Sequence, residues 1–150
     1  MSSYDLWMSE ALAEARLALR TGDVPVAAMV MDAAGHRLGV GRNERELSHD
    51  PTAHAEVLAI RAAAEALGTW HLENTTLIVT LEPCTMCAGA ISLARIRRLY
   101  YGTADPKGGG VESGVRFFSS PTCHHAPEVY SALGETQSAE LLRQFFRARR

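Results

Sequence analysis

The order of apolar patterns predicts a three-layer α/β/α fold, a central mixed five-stranded sheet with helices on both faces. Three observations carry that expectation. An amphipathic helical stripe opens the chain, an apolar run and a second strand separated by turn residues then form a hairpin, and a strand, a helix and another strand follow in succession. The last order implies a right-handed crossover between neighbouring parallel strands, which a hairpin-only sheet cannot contain.

Tyr4, Trp7, Met8, Ala11, Leu12, Ala15 and Leu19 recur at helical spacing, and Gly22 follows as a stop signal. Residues 24–31 are almost continuously apolar, 32–35 supply turn chemistry, and 38–42 return as an antiparallel strand. Asp50-Pro51-Thr52 then introduces an alanine-rich helix reaching Leu67 and Gly68, with Leu58, Ala59, Ala62 and Ala66 on one face and His54 and Glu56 in its first turn. Residues 76–80 read as a buried strand, 84–94 as a helix behind Pro83, and 99–102 as the next strand. A glycine-rich loop covers 103–114. Residues 128–132 supply a last strand, and Leu141, Leu142, Phe145 and Phe146 line one face of a terminal helix. In such sheets ligands gather at the carboxyl ends of strands and the amino ends of helices.

A chain of 150 residues that is 47% hydrophobic can bury one substantial core, so 1–150 is expected to form a single domain. A charged segment followed by a signal-like apolar stretch is absent from the start, as is any apolar run long enough to cross a bilayer, and a soluble cytoplasmic protein with no membrane partner is expected. The net charge of −2 argues against a protein that coats nucleic acid through its overall field. Local basic clusters remain at Arg95, Arg97 and Arg98 and at Arg143, Arg147, Arg149 and Arg150. Most clusters of this kind are helix-end cations that complement the dipole.

Three cysteines are too few and too unevenly placed for a disulfide framework. Cys84 and Cys87 stand three residues apart at a helix start, where both sulfurs can face one point and where oriented N–H groups favour thiolates. By itself this Cys-x-x-Cys serves a metal site or dithiol exchange equally well. His54-Ala55-Glu56, about thirty residues upstream at another helix start, adds an imidazole and a carboxylate and tips the reading toward metal. Two thiolates and one histidine leave the fourth tetrahedral position open, the arrangement of a catalytic zinc site that acidifies bound water. Glu56 lies two positions from His54, roughly 200° around a helix axis. It is therefore expected to move protons as the catalytic acid/base and not to bind the metal. A helix-start carboxylate that merely meets the dipole is the alternative for Glu56 taken alone. Cys123, His36, His49, His71, His124, His125, Trp7 and Trp70 read as surface or packing residues.

His54-x-Glu56 followed by Pro83-Cys84-x-x-Cys87 matches the signature of zinc nucleobase deaminases. The chain resembles the bacterial tRNA-specific adenosine deaminases, the TadA family, well beyond that signature: at residues 22–26, Asn43, 50–56, 79–84, 86–90 and the ending 145–150. The resemblance implies the cytidine deaminase-like fold, one Zn2+ per chain, and hydrolytic conversion of the wobble adenosine of an arginine tRNA anticodon to inosine by a homodimer. It implies that Asn43 and the backbone of Ala55 read the flipped base while Val26 and Leu81 wall the pocket. It further implies that Asp105, Lys107, Phe145, Phe146, Arg149 and Arg150 hold the flanking nucleotides of the anticodon stem-loop. For the two phenylalanines ordinary core packing is the competing reading, and at least one is expected to be core. Ala27 departs from a glycine in the family pattern, and His124-His125-Ala126 from Asn-His-Arg.

A deaminase of a free base or nucleoside, such as guanine, cytosine or cytidine, would use the same zinc set. Asp105-x-Lys107 and the arginine-rich terminal helix favour RNA. A zinc-stabilised binding module would need a fourth protein ligand, and none stands near the three residues. A dithiol oxidoreductase would need neither His54 nor Glu56.

Overall fold

A computed structural model describes residues 2–149. Arg150, expected among the RNA contacts, lies outside the described residues. Helix α1 (Ser3–Leu17) starts where the Ser2 hydroxyl and the Asp5 carboxylate cap each other's backbone N–H groups, and buries Met8, Ala11, Leu12 and Ala15. A short 3₁₀ turn over Ala18–Thr21 follows and closes on Gly22 at φ +76°. The tighter turn breaks the 3.6-residue stripe, so Leu19 is exposed instead of continuing it.

Strands β1 (Ala27–Met31) and β2 (Arg37–Arg42) form the expected hairpin. Strand β1 begins three residues later than the apolar run, because Pro25 has no N–H to give a ladder and Val26 donates to Val24 O in a tight local turn. A single helical turn, α2 (Arg45–Ser48), precedes α3 (Ala55–Leu67). Strand β3 (Thr76–Leu81), α4 (Thr85–Ala94) and β4 (Arg98–Thr103) then make the crossover, and β5 (Glu128–Tyr130) and α5 (Glu135–Arg147) complete the chain. Strand β5 is shorter than expected, since Ala132 turns to φ +64°.

The sheet order is β2-β1-β3-β4-β5. Strand β1 is antiparallel to both β2 and β3, whereas β3–β4 and β4–β5 are parallel. The sheet is therefore mixed, as the chain order predicts. Alternation along β1 divides the core: Ala28 and Val30 face α3 and α4, while Ala27, Met29 and Met31 face α1 and α5. Ala27, the departure from glycine, thus points into the layer away from α3 and packs with Met8 and Leu12.

Helix α3 buries Ala55, Glu56, Ala59 and Ala63, a face rotated from the expected Leu58-Ala59-Ala62-Ala66 stripe. The cause is the partner strand. A Cβ at Gly41 would stand 2.5 Å from Ala55 O, and one at Gly39 equally close to Ala59 O, so α3 lies directly on the backbone of β2 with only small residues between. That close approach turns Glu56 inward.

Candidate metal centre and active-site cleft

The amino end of β1, the carboxyl ends of β3 and β4 and the amino ends of α3 and α4 surround one open cleft of about 1040 Å³. Its floor is made where two helices begin. His54 is the N-cap of α3 and Cys84 the N-cap of α4, both with extended backbone, while Cys87 lies one turn into α4 and is fully buried. His54 Nδ1 stands 3.6 Å from the sulfur of Cys84 and 3.6 Å from that of Cys87. The three ligand atoms all fall within 4.8 Å of one another.

These distances test whether zinc fits. Tetrahedral coordination at ordinary Zn–N and Zn–S lengths requires nitrogen and sulfur to be about 3.6 Å apart. The side chains already stand at that separation, with one imidazole and two sulfurs as the donor set. Among the described residues this is the one such cluster of His, Cys, Asp or Glu.

Glu56 lines the same cleft but stands outside the 4.8 Å cluster. Because His54 is extended at the cap and only Ala55 onward is helical, the 200° separation of a regular helix does not apply, and both side chains enter one cavity. Only 4% of Glu56 is exposed. Burial raises its carboxyl to about 7, and negative charge at Cys84 adds to this. Hydrogen bonds from Cys87 and His54 hold the Cys84 thiol down to about 4. Cys87 is pushed up, first by its hydrogen bond to Cys84 and then by burial, and His54 is raised chiefly by its bond to Cys84. Proton affinity is thus displaced at four adjacent groups in a cleft, the pattern expected of a reactive site.

The base-reading residues expected from the resemblance gather around this floor. Asn43 is buried, and its side-chain oxygen accepts the Arg45 N–H at 3.2 Å, which leaves the amide N–H groups free for a ligand acceptor. Ala55 is the first residue of α3, so its N–H has no acceptor within the helix. Val26 and Leu81 line the walls.

At the rim stand Asp105, Lys107, Phe146 and Arg149, all lining the cleft. Phe146 is 52% exposed. Phe145 is a correction: it is 5% exposed, belongs to the buried side of α5, and carries the Arg149 guanidinium over its ring at 3.6 Å. Adjacent helical residues point about 100° apart, so one phenylalanine fills the core while the other faces the cleft. Cys123 lies elsewhere, its thiol donating to His125 O, and the His125 ring contacts Ile96 O at 2.8 Å. Neither His124 nor His125 lines the cleft.

Several residues escaped the sequence reading. Arg45 and Arg143 line the rim, the latter on the α5 face shared with Ala139, Leu142 and Phe146. Helical spacing from Phe146 finds Arg143; nothing local marks Arg45. Two buried carboxylates were also missed. Asp23 accepts the N–H groups of Glu46 and Leu47, at 2.7 and 3.3 Å. Glu82 accepts N–H groups from the 105–113 loop. Burial works to raise the Glu82 carboxyl, but those donors outweigh it and hold it below the ordinary carboxylate range.

A mixed sheet with a His-Cys-Cys cluster and a buried glutamate at its crevice defines a zinc-dependent deaminase class. Comparison with known proteins agrees. Residues 1–103 match the model of the cytidine and deoxycytidylate deaminase zinc-binding region. The tRNA-specific adenosine deaminase of Agrobacterium fabrum is 60% identical over 144 residues, which is 96% of this chain and 94% of that protein. That of Bacillus subtilis is 41% identical over 147 residues, 98% of this chain and 91% of the relative. A solved chain from studies of A-to-I editing by tRNA:A34 deaminases at the wobble position superposes with a TM-score of 0.87 at 58% identity, covering 90% of this chain and 97% of that one. The chain belongs to the cytidine and deoxycytidylate deaminase family and, within it, to the tRNA-specific adenosine deaminases.

Proposed function

We propose that this protein hydrolytically deaminates the adenosine at the wobble position of a tRNA anticodon, giving inosine and ammonia, and that an arginine tRNA is its substrate. The observation that carries the reading is the buried Glu56 beside His54, Cys84 and Cys87 at the bottom of a cleft whose rim is aromatic and cationic.

His54, Cys84 and Cys87 would hold one zinc ion per chain. When bound, zinc supplies the Lewis acidity that makes water nucleophilic at neutral pH. The Asn43 amide and the Ala55 N–H orient the flipped purine, and Val26 and Leu81 close around its faces. Glu56 takes a proton from the attacking water and delivers it to N1 of the base. It then passes the second proton to the departing 6-amino group as the C6–N bond breaks. Water is thereby divided between the new C6 oxygen and the leaving ammonia.

The cleft exceeds what one nucleobase needs, and Lys107, Arg143, Arg149 and Phe146 lie where flanking nucleotides would run. Phosphate contacts and stacking there suit a single-stranded loop, whose target base costs less to unstack than one in a duplex. No helix among the described residues is long and apolar enough to cross a membrane, and a cytoplasmic tRNA-processing role is compatible with that. Leu93 on α4 is 70% exposed, which supports pairing of two copies through that helix.

The deciding experiment is product analysis with an arginine-tRNA anticodon stem-loop, free adenosine, guanine and cytosine. Inosine should form from the stem-loop far faster than from free adenosine. Efficient turnover of guanine or cytosine with an untouched stem-loop would overturn the substrate assignment and leave only the deaminase chemistry.

A further inference from the structure

Glu82 is 2% exposed and borders the cleft between two other lining residues, Leu81 on the wall and Cys84 of the candidate metal cluster, with both of its oxygens taken up by the protein. Among the described residues no cation pairs with it. Instead the 105–113 loop curls around its carboxylate. One oxygen accepts the N–H groups of Val111, Glu112 and Ser113 at 3.0, 3.0 and 2.9 Å. The other accepts the Asp105 N–H at 2.8 Å and the Ser113 hydroxyl at 2.9 Å. The loop backbone presses against this anion so closely that a Cβ at Gly109 would stand 2.3 Å from the Glu82 carboxyl carbon. Apart from a bridge between Gly109 and Cys84 and the Gly110 N–H to Pro83 O bond, the loop has little sheet pairing to hold it.

The donors are unequal in position. Residues 111–113 do not line the cleft, whereas Asp105 does and organises its rim, its own Oδ1 accepting the Lys107 and Gly108 N–H groups at 3.2 and 3.0 Å. Two bonds tie the substrate-facing end of the loop to the segment bearing Cys84, Glu82 N–H to Thr103 O at 3.0 Å and Asp105 N–H to Glu82 Oε1, and only the second depends on the Glu82 side chain. We propose that Glu82 is a positioning residue for tRNA deamination: it sets the Asp105–Lys107 rim in register with the metal floor without touching substrate. This rests on the function proposed above.

Glu82→Gln tests it with nearly unchanged volume. The amide can turn its remaining oxygen toward the three N–H groups of 111–113, and the Ser113 hydroxyl can rotate to accept, but the Asp105 N–H then faces an N–H donor. Losing that buried partner should raise KM for the anticodon stem-loop by about tenfold or more, with kcat changed much less. Zinc content should match the parent protein, and amide hydrogen exchange should quicken at 105–108 more than at 111–113. Unchanged KM, or activity lost in proportion to zinc, would overturn the proposal. Should E82Q not fold, Ser113→Ala removes one donor to the same oxygen. It should raise KM by a few-fold with zinc retained, and an unaltered KM there also overturns the idea. If the parent protein leaves the stem-loop unmodified, the substrate assignment fails instead, and the exchange rates at 105–108 in E82Q still report whether Glu82 holds the rim.

Discussion

The floor of the cleft and its rim are assembled differently. On the floor, His54, Glu56, Cys84 and Cys87 come from two short segments, each at the start of a helix that follows an extended residue. Two adjacent helix starts at one end of the sheet bring three ligand atoms within 4.8 Å of one another. The rim is drawn from three distant stretches: Arg45 after β2, the 105–108 loop, and α5. Buried carboxylates hold two of its segments, Asp23 the α2 turn at 46–47 and Glu82 the 105–113 loop, by accepting backbone N–H groups where no ladder exists. Under the proposed function, chemistry falls on helix ends, and recognition on segments whose conformation depends on a few buried hydrogen bonds.

The largest effect should come from breaking the floor. Cys84→Ser and His54→Ala each remove a proposed metal ligand, so zinc measured by elemental analysis and deaminase activity should disappear together. Cys123→Ser should retain both, because that thiol is bonded to His125 O away from the cleft. Zinc lost from C123S and kept in C84S would reassign the site.

Next comes Glu56, the proposed proton carrier on the same floor. Glu56→Ala should lower kcat by about 10² to 10⁴ while fold, zinc and stem-loop binding persist, since it lies outside the ligand cluster. Single-turnover assays with saturating enzyme separate this from a binding defect, and near-normal turnover would return Glu56 to a structural role.

Rim substitutions should act on affinity and leave the chemical step largely intact. Phe146→Ala should weaken stem-loop binding by about 1–3 kcal/mol if its exposed face stacks on a base. The same change at Phe145 should lower the melting temperature instead, because that ring is core. Smallest of all, Lys107→Ala should flatten the dependence of log Kd on log salt by about 0.7 if it neutralises one phosphate. An unchanged slope would remove Lys107 from the RNA path.

The floor was legible because its determinants are local. Proline or turn residues ahead of an apolar helical pattern, with two thiols three positions apart and an imidazole two positions from a carboxylate, define both the element and the donor set. The layer order and the mixed sheet were legible for the same reason, as strand and helix periods follow from nearest-neighbour patterning. Which side of α3 faces inward was not, because Gly39 and Gly41 on another strand decide it by letting the helix lie against backbone.

Residue types and spacings alone therefore determined the element order, and named the His54, Cys84 and Cys87 cluster that the fold brings together and the proposed acid/base Glu56 beside it. Only tertiary structure separated Phe145 from Phe146, brought Arg45 and Arg143 to the rim, set Ala27 away from the pocket, and gave Asp23 and Glu82 their partners. Those outcomes depend on which backbone N–H groups and which helix faces meet across 20 to 30 residues of intervening chain, as between Asp23 and Glu46 or Glu82 and Asp105. Local pattern carries no information about such meetings, because the carboxylate that organises a loop and the loop itself are joined only when the sheet has formed.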